Sequence, residues 1–234
     1  SPEGRILTQD ENGRVTVYTD KDNDGTVDVV QVVAQSGIIQ VIMPSAGRLI
    51  LRTKETISVH VDTDNDGHYD MVNTLINGPI KSINLTGKGR ILVRDKSGKV
   101  TIFSDSDGNG SYDVYHNLAN SGVQDVNILS DERMLFRYTD GKLALLTDKD
   151  SDGTFETIDV LASSKVDWYT LNNMGQILYR VDNVLTAAAD LDGDGVHERR
   201  YKFPFNKASQ ITITGDQRIF LSNGEGDLTV FYDK

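Results

Sequence analysis

The chain has 234 residues, no cysteine and a formal net charge of −11 at pH 7. A chain of this length can bury a sizeable core as one domain, and the lack of cysteine excludes disulfides and thiolate metal sites. No apolar run approaches the roughly 18 residues of a membrane span, and no signal peptide pattern is visible, so we expect no membrane insertion.

A nine-residue acidic segment occurs five times along the chain, starting at residues 20, 62, 105, 148 and 190. The successive starts are 42, 43, 43 and 42 residues apart. Each segment has side-chain oxygens at positions 1, 3, 5 and 9 and glycine at position 6. Calcium prefers six to eight oxygen ligands, and glycine permits the sharp turn that wraps them around the ion. The repeats therefore predict up to five Ca²⁺ ions.

The predicted ligands are the side chains at positions 1, 3, 5 and 9 and the backbone carbonyl at position 7. They are Asp20, Asp22, Asp24, Thr26 and Asp28; Asp62, Asp64, Asp66, His68 and Asp70; Asp105, Asp107, Asn109, Ser111 and Asp113; Asp148, Asp150, Asp152, Thr154 and Glu156; and Asp190, Asp192, Asp194, Val196 and Glu198. Position 12 never carries the closing glutamate of an EF-hand. We therefore expect closure from position 9, and Asn109 predicts that the third site is the weakest.

The acidity of the chain is concentrated in these loops, which hold 19 of its 35 acidic residues. Five bound Ca²⁺ ions would bring the formal charge of −11 to about −1. Loops of this kind suit millimolar extracellular calcium better than a submicromolar cytosol. We therefore predict a secreted, extracellular or cell-surface protein, with the periplasm as an alternative.

A second repeat consists of short β-prone runs bounded by turn residues, and no window of eleven or more residues has a helical period. Four such strands in about 42 residues are typical of a β-propeller blade, and a β-solenoid is the alternative. We name the strands A to D from the innermost outward, with the calcium loop between C and D. The units cover about 4–46, 47–88, 89–131, 132–174, 175–216 and a partial 217–234.

The chain is expected to begin at a strand B and to end after a strand C. This predicts three strands, four complete blades and three further strands within a single all-β domain over residues 1–234. Six blades are our prediction, and five are the alternative if the terminal strands combine into one blade.

The Asp-x-Asp-x-Asp-Gly-x-x-Asp/Glu loops on this period resemble the calcium repeats of the FG-GAP/VCBS type, which occur in integrin α-subunit propellers and bacterial secreted proteins. The unit order is also similar to that of six-bladed sugar-dehydrogenase-like propellers. The resemblance implies a calcium-binding propeller. The Phe-Gly and Gly-Ala-Pro residues that name the integrin repeats are absent, so integrin-like ligand binding is not implied.

Candidate ligand residues lie at the end of strand B and the start of strand A, which should meet on the side opposite the calcium loops. They are Arg52, Arg94, Arg137, Arg180, Asp125, Trp168 and Gln210. One interpretation is that the arginines bind acidic residues or carbonyls of neighbouring blades. The other is a polar pocket, in which arginines bind an anionic or sugar ligand and Trp168 stacks on it.

The sequence has no phosphate loop, zinc motif or nucleophile elbow, and its basic residues do not form a nucleic-acid patch. We therefore predict a binding or adhesion module, with glycans, anionic ligands or a cell-surface protein as partners. The alternatives are a carbohydrate-active enzyme, similar to quinone-dependent sugar dehydrogenases or polysaccharide lyases, and a structural spacer in a larger surface protein.

Overall fold

The structure is a computed structural model that describes residues 4–45, 47–171, 177–190, 196–197, 199–203, 208–213, 218–223 and 228–231. Over these residues the regular secondary structure consists of 22 β-strands. No helix that could cross a membrane occurs among them. All strand pairings are antiparallel, and each sheet is formed by strands that are consecutive in the chain.

The first three sheets are built from the first eleven strands, in chain order. Sheet I contains β1 (Arg5–Gln9), β2 (Val15–Thr19) and β3 (Val29–Ala34). Sheet II contains β4 (Gln40–Ser45), β5 (Arg48–Arg52), β6 (Thr56–Val61) and β7 (Met71–Asn77). Sheet III contains β8 (Ile80–Leu85), β9 (Ile91–Asp95), β10 (Val100–Ser104) and β11 (Val114–Ala119).

The remaining eleven strands form three further sheets in the same way. Sheet IV contains β12 (Val123–Ile128), β13 (Met134–Tyr138), β14 (Leu143–Thr147) and β15 (Thr157–Ala162). Sheet V contains β16 (Val166–Leu171), β17 (Ile177–Val181), β18 (Val184–Ala189) and β19 (Arg199–Phe203). Sheet VI contains β20 (Ala208–Ile213), β21 (Ile219–Asn223) and β22 (Leu228–Phe231).

Three strands, four sets of four strands and three strands are the inventory that the sequence predicts, and the described residues confirm it. The last strand of each sequence unit pairs with the strands of the following unit, as β4 does with β5. Sheets of this meander type are the blades of β-propellers. The number of blades stays a prediction.

The chain divides into two compact units, residues 1–121 and 122–234. The first contains sheets I to III and the second sheets IV to VI. A single domain over the whole chain stays a prediction.

The cores lie between neighbouring sheets within each unit. Strands β2 and β6 bury alternate residues, such as Val15 and Val17 in β2. In contrast, β14 buries all five of its residues. A strand with apolar contacts on both faces has no polar face, so its pattern becomes a continuous apolar run. One core joins Val17 of sheet I to Leu49 of sheet II, and another joins Leu145 of sheet IV to Ile177 of sheet V.

Candidate functional site

The acidic segments form the turns between the third and fourth strands of their sheets. In the first four segments, the glycine at position 6 has a φ between +90° and +95°. This left-handed conformation favours glycine, as the sequence predicts. The backbone N–H of residue 9 then donates to the residue just before the loop, as Asp70 does to the Val61 carbonyl.

Three of the described loops bring acidic oxygens together closely enough to share one ion, with ligand atoms within 4.8 Å of one another. The sets are Asp20, Asp22 and Asp24; Asp62, Asp64 and Asp66; and Asp148, Asp150, Asp152 and Glu156. Carboxylates at this separation repel one another, and a divalent cation offsets that repulsion. The donor set is all oxygen, which suits a hard cation such as Ca²⁺.

The first loop contains a buried oxygen without a hydrogen-bond partner. Asp20 Oδ2 accepts the Gly25 N–H at 2.9 Å, whereas Asp20 Oδ1 is buried and accepts no hydrogen bond. An orphaned buried carboxylate oxygen is costly unless a cation or water contacts it. The residues of this loop therefore fit an ion.

The third loop differs from the others by its asparagine at position 5, whereas its first carboxylate accepts backbone N–H donors as Asp62 does in the second loop. Asp105 Oδ1 accepts from Gly108 N at 2.9 Å, and Asp105 Oδ2 accepts from Gly110 N at 2.9 Å. The Asn109 amide donates to Asp107 Oδ2 at 2.9 Å. This loop does not form one of the compact acidic sets among the described residues.

Among the described loops, position 9 joins a compact set only at Glu156. In the second loop, Asp70 instead accepts from the Thr63 N–H and hydroxyl, which lowers the pKa of its carboxyl. The backbone N–H of His68 likewise lowers the pKa of Asp66. In the fifth loop, Asp192, Asp194 and Glu198 lie outside the described residues.

An arginine from the preceding sheet pairs with the first carboxylate of three loops. Arg5 contacts Asp62 at 2.6 Å, with side chains 3% and 0% exposed. The same pairing joins Arg48 to Asp105 at 2.8 Å and Arg133 to Asp190 at 2.9 Å. In the first two pairs the guanidinium also donates to a tyrosine hydroxyl at position 8 of the loop.

The residue at position 12 of one segment contacts the next loop, 38 residues further along the chain. Gln31 accepts the Tyr69 N–H at 2.7 Å and donates to the Tyr69 carbonyl at 3.2 Å. Asn73 donates to the Ser111 hydroxyl at 3.0 Å, and Asp159 accepts the His197 N–H at 2.9 Å. The sequence shows position 12 only as a departure from the EF-hand pattern. Its role in joining sheets was missed, and its regular spacing was the available signal.

The arginines at the end of the second strand mostly bind groups of the sheets. Arg52 donates to the carbonyls of Ile80 and Lys81 at 3.4 and 3.1 Å. Arg137 donates to the Val166 carbonyl at 3.2 Å, in the following sheet. These contacts are those of the first interpretation, in which the arginines hold neighbouring sheets together.

The other two arginines also contact groups of their own sheets. Arg94 donates to the Ser82 hydroxyl at 3.3 Å, and Arg180 pairs with Asp167 at 2.8 Å. Trp168 is half-buried and pairs with Arg180 in the β16–β17 register. The side chain of Gln210 lies outside the described part of the structure.

Asp125 forms a polar cluster with Tyr169 of the next sheet. The Tyr169 hydroxyl donates to Asp125 Oδ2 at 3.0 Å and accepts from the Asn127 amide at 2.7 Å. Burial, together with the Asp125 carboxylate, raises the pKa of Tyr169 to about 12. The phenol is therefore protonated at neutral pH and acts as a hydrogen-bond donor, not as a base.

No protein-family model matches the chain, and no curated protein matches it. Similar folds occur among solved structures. A chain from an S. cerevisiae complex of dbp5 with nup159, gle1, ip6 and adp is 8% identical; the match covers 99% of this chain and 71% of that one, with a TM-score of 0.50.

Kluyveromyces lactis Hsv2p is 12% identical, over 97% of this chain and 70% of that chain, with a TM-score of 0.49. The WD40 β-propeller domain of Doa1 is also 12% identical, over 100% and 88%, with a TM-score of 0.40. The meander sheets are the blades of a β-propeller, and the chain from the S. cerevisiae complex is similar to this chain in fold. At such low identity this likeness indicates the fold alone.

Proposed function

We propose that this chain is a calcium-stabilised β-propeller of the FG-GAP/VCBS type that serves as an interaction module outside the cell. The observation that carries the calcium proposal is the first loop, where three aspartates converge and the buried Asp20 Oδ1 has no hydrogen-bond donor. The five segments share one residue pattern and are 42 or 43 residues apart, which supports the binding of the same kind of ion in each loop.

A bound ion would neutralise the converging carboxylates of a loop and join the third and fourth strands of a sheet. The residues that would hold it in the first loop are Asp20, Asp22 and Asp24, and Asp28 is the fourth candidate. Because the unfolded chain lacks this arrangement, preferential binding to the native state raises stability. At a free concentration 100 times the Kd, one site contributes about 2.7 kcal/mol.

The interaction role is supported by the fold, in which the candidate arginines and Tyr169 are engaged by groups of the sheets. The arginines bind carbonyls and side chains of the sheets, and Tyr169 is a protonated donor. We propose glycans or a surface protein as the partner. Propellers present side chains and loops from several blades on one surface, and the S. cerevisiae chain of similar fold was solved in an assembly of several proteins.

Thermal unfolding, followed by circular dichroism in 2 mM CaCl₂ and in excess EDTA, tests the calcium proposal. We expect a higher Tm in calcium. Asp24→Asn should reduce the calcium-dependent rise, because it removes one carboxylate of the first loop and keeps the side-chain oxygen that accepts the Thr26 N–H. Glu11→Gln, an equal charge change outside the loops, is the control. Identical melting curves in calcium and EDTA would refute the proposal.

A further inference from the structure

A cleft of about 660 Å³ lies between sheets IV and V, within the second compact unit. It is lined by the end of β15, by the β15–β16 turn and by parts of β17 to β19. None of the predicted calcium ligands lines it. Its volume falls within the roughly 300–1,000 Å³ of small-molecule sites.

The cleft lies beside the two-residue turn that joins β17 to β18. Asp182 and Asn183 form this turn with φ values of +48° and +63°, as in a tight hairpin. The corresponding turns of sheets I to IV are three to five residues long. In sheet IV the longer turn bonds to the following strand connection, where Asp140 accepts the Lys165 N–H and Gly141 accepts the Val166 N–H.

The walls combine an aliphatic part with several hydroxyls. Val160 is 40% exposed, and Val181 and Val184 are half-buried beside it. Ser163 and Ser164 lie on the β15–β16 turn. An apolar surface with a few polar groups at its edge is the usual composition of a site for an organic ligand.

The charge of the cleft is opposite to that of the chain. Lys165, Arg200 and Lys202 line it, against one carboxylate, Asp182, whereas the whole chain has a formal charge of −11. Arg200 is held by Asp159 at 2.7 Å and by the carbonyls of Val160 and Leu161. Its position is therefore fixed and its charge is compensated.

The two lysines can accept a new partner. Lys165 pairs with Asp182 at 3.3 Å, but both side chains are about two-thirds exposed, so the pair contributes little. Lys202 is exposed, and among the described residues it forms no hydrogen bond or ion pair. Two ammonium groups at the edge of an aliphatic surface are complementary in charge and polarity to an anion with a carbon skeleton.

We propose that this cleft binds a small organic carboxylate. The carboxylate would contact Lys165 and Lys202, and the body of the ligand would lie against Val160 and Val181. The proposal gives the interaction module a ligand class and a site, and it does not depend on calcium binding by the loops.

The test uses ¹⁵N-labelled protein titrated with two carboxylates, glucuronate and hexanoate, each paired with a neutral analogue, glucose and hexanol. We expect at least one carboxylate to shift the amide signals of Ser164, Lys165 and Asp182 with a Kd in the millimolar range, and the neutral analogue to bind at least tenfold more weakly. Preference for glucuronate would identify a sugar acid, and preference for hexanoate an aliphatic acid.

The double variant Lys165→Gln/Lys202→Gln should weaken carboxylate binding at least tenfold. Lys96→Gln, an exposed lysine on a turn of sheet III, is the control and should leave it unchanged. Absence of shifts with both carboxylates, or unchanged binding by the double variant, would overturn the proposal. Carboxylate titrations are carried out both in calcium and in EDTA. Carboxylate binding and the calcium-dependent rise in Tm are then measured independently, so one proposal can fail while the other holds.

Discussion

At the scale of single residues, the glycine at position 6 permits the turn in the first four loops and has a packing role only in some of them. Its positive φ permits the turn, which the sequence predicts. The structure adds a packing role, because a Cβ on Gly110 would lie 2.8 Å from both terminal carbons of Val61 in the preceding sheet. Among the described residues, no atom lies within 4 Å of that position at the corresponding Gly25. The same loop residue therefore has different steric surroundings in different repeats.

This difference leads to a paired prediction for Gly110→Ala and Gly25→Ala. Both variants place alanine at a φ near +90°, which costs roughly 1–2 kcal/mol. Gly110→Ala must also displace Val61, so we expect it to be less stable than Gly25→Ala by about 1–3 kcal/mol. Urea unfolding of both variants in EDTA measures the difference. Equal losses would show that packing against Val61 has no energetic role.

A pH-dependent prediction concerns Tyr169, whose pKa is raised from an ordinary value of 10 to about 12 by burial and by Asp125. A group with a raised folded-state pKa contributes its stability below the unfolded-state pKa and loses it as the pH rises toward the folded-state value. Tyr169→Phe should therefore cost roughly 1 kcal/mol at pH 8, from the lost hydrogen bonds. The difference from wild type should shrink between pH 10 and pH 12.

Unfolding midpoints of the two proteins at pH 8, 10 and 11 measure this effect. The comparison isolates Tyr169 because the other tyrosines are present in both chains. A difference that stays constant through pH 11 would contradict the assigned contacts.

At the scale of strands and loops, neighbouring sheets are joined at the position where the acidic loops begin. The first carboxylate of a loop belongs to one sheet, and the arginine that pairs with it belongs to the sheet before. Asp62 is fully buried and also accepts the Gly67 N–H at 3.0 Å. Under the calcium proposal, ion binding and sheet packing would therefore use the same carboxylate.

We predict that Arg5→Met destabilises the protein by about 3–5 kcal/mol in EDTA, because Asp62 would remain buried without its countercharge. In calcium the loss should be smaller, since the ion supplies positive charge to the same loop. Lys165→Met breaks an exposed pair and should cost at most about 1 kcal/mol in either buffer. Urea unfolding of wild type and of both variants, in calcium and in EDTA, measures the four changes in the free energy of unfolding. If Arg5→Met lowers the free energy of unfolding equally in calcium and in EDTA, the Arg5–Asp62 pair and ion binding by the loop are energetically independent.

Much of the strand and loop structure could be predicted from the sequence, because strand alternation and loop spacing are local patterns. The predicted strand inventory and the glycine turns agree with the structure. The contacts between sheets could not be predicted, since Arg5 and Asp62 are 57 residues apart and their pairing depends on how two sheets pack. The β-bulge at Asp167, between Val166 and Trp168, was also missed. Apolar residues stand on both sides of it, so the sequence pattern shows no interruption.

The cleft between sheets IV and V was missed for a related reason. The short Asp182-Asn183 turn is visible in the sequence, but the space beside it depends on the neighbouring sheet. The sequence directed attention to the arginines and to Trp168, which the repeat pattern places together. In the structure most of those arginines are engaged by sheet groups, and the weakly engaged cations of the cleft are Lys165 and Lys202, which lie outside the repeat pattern.

At the scale of the whole molecule, charge is the property that calcium should change most. The formal charge is −11 without ions, and 19 of the 35 acidic residues lie at predicted ligand positions. The remaining acidic residues are outnumbered by 24 lysines and arginines. In the protein without calcium, repulsion between like charges should therefore arise mainly from the carboxylates of the loops. Net repulsion of this kind disfavours the compact state.

We predict that calcium sharply reduces the electrophoretic mobility of the native protein toward the anode, since five ions would leave a formal charge of about −1. Capillary electrophoresis across a calcium titration measures the change, and the total shift gives the number of ions bound. Magnesium at equal concentration is the control, because it dehydrates reluctantly and demands a stricter octahedral geometry than these loops offer. Asp24→Asn should reduce the calcium shift by about one site. A mobility that responds equally to both cations would indicate general screening of surface charge and would contradict site-specific binding.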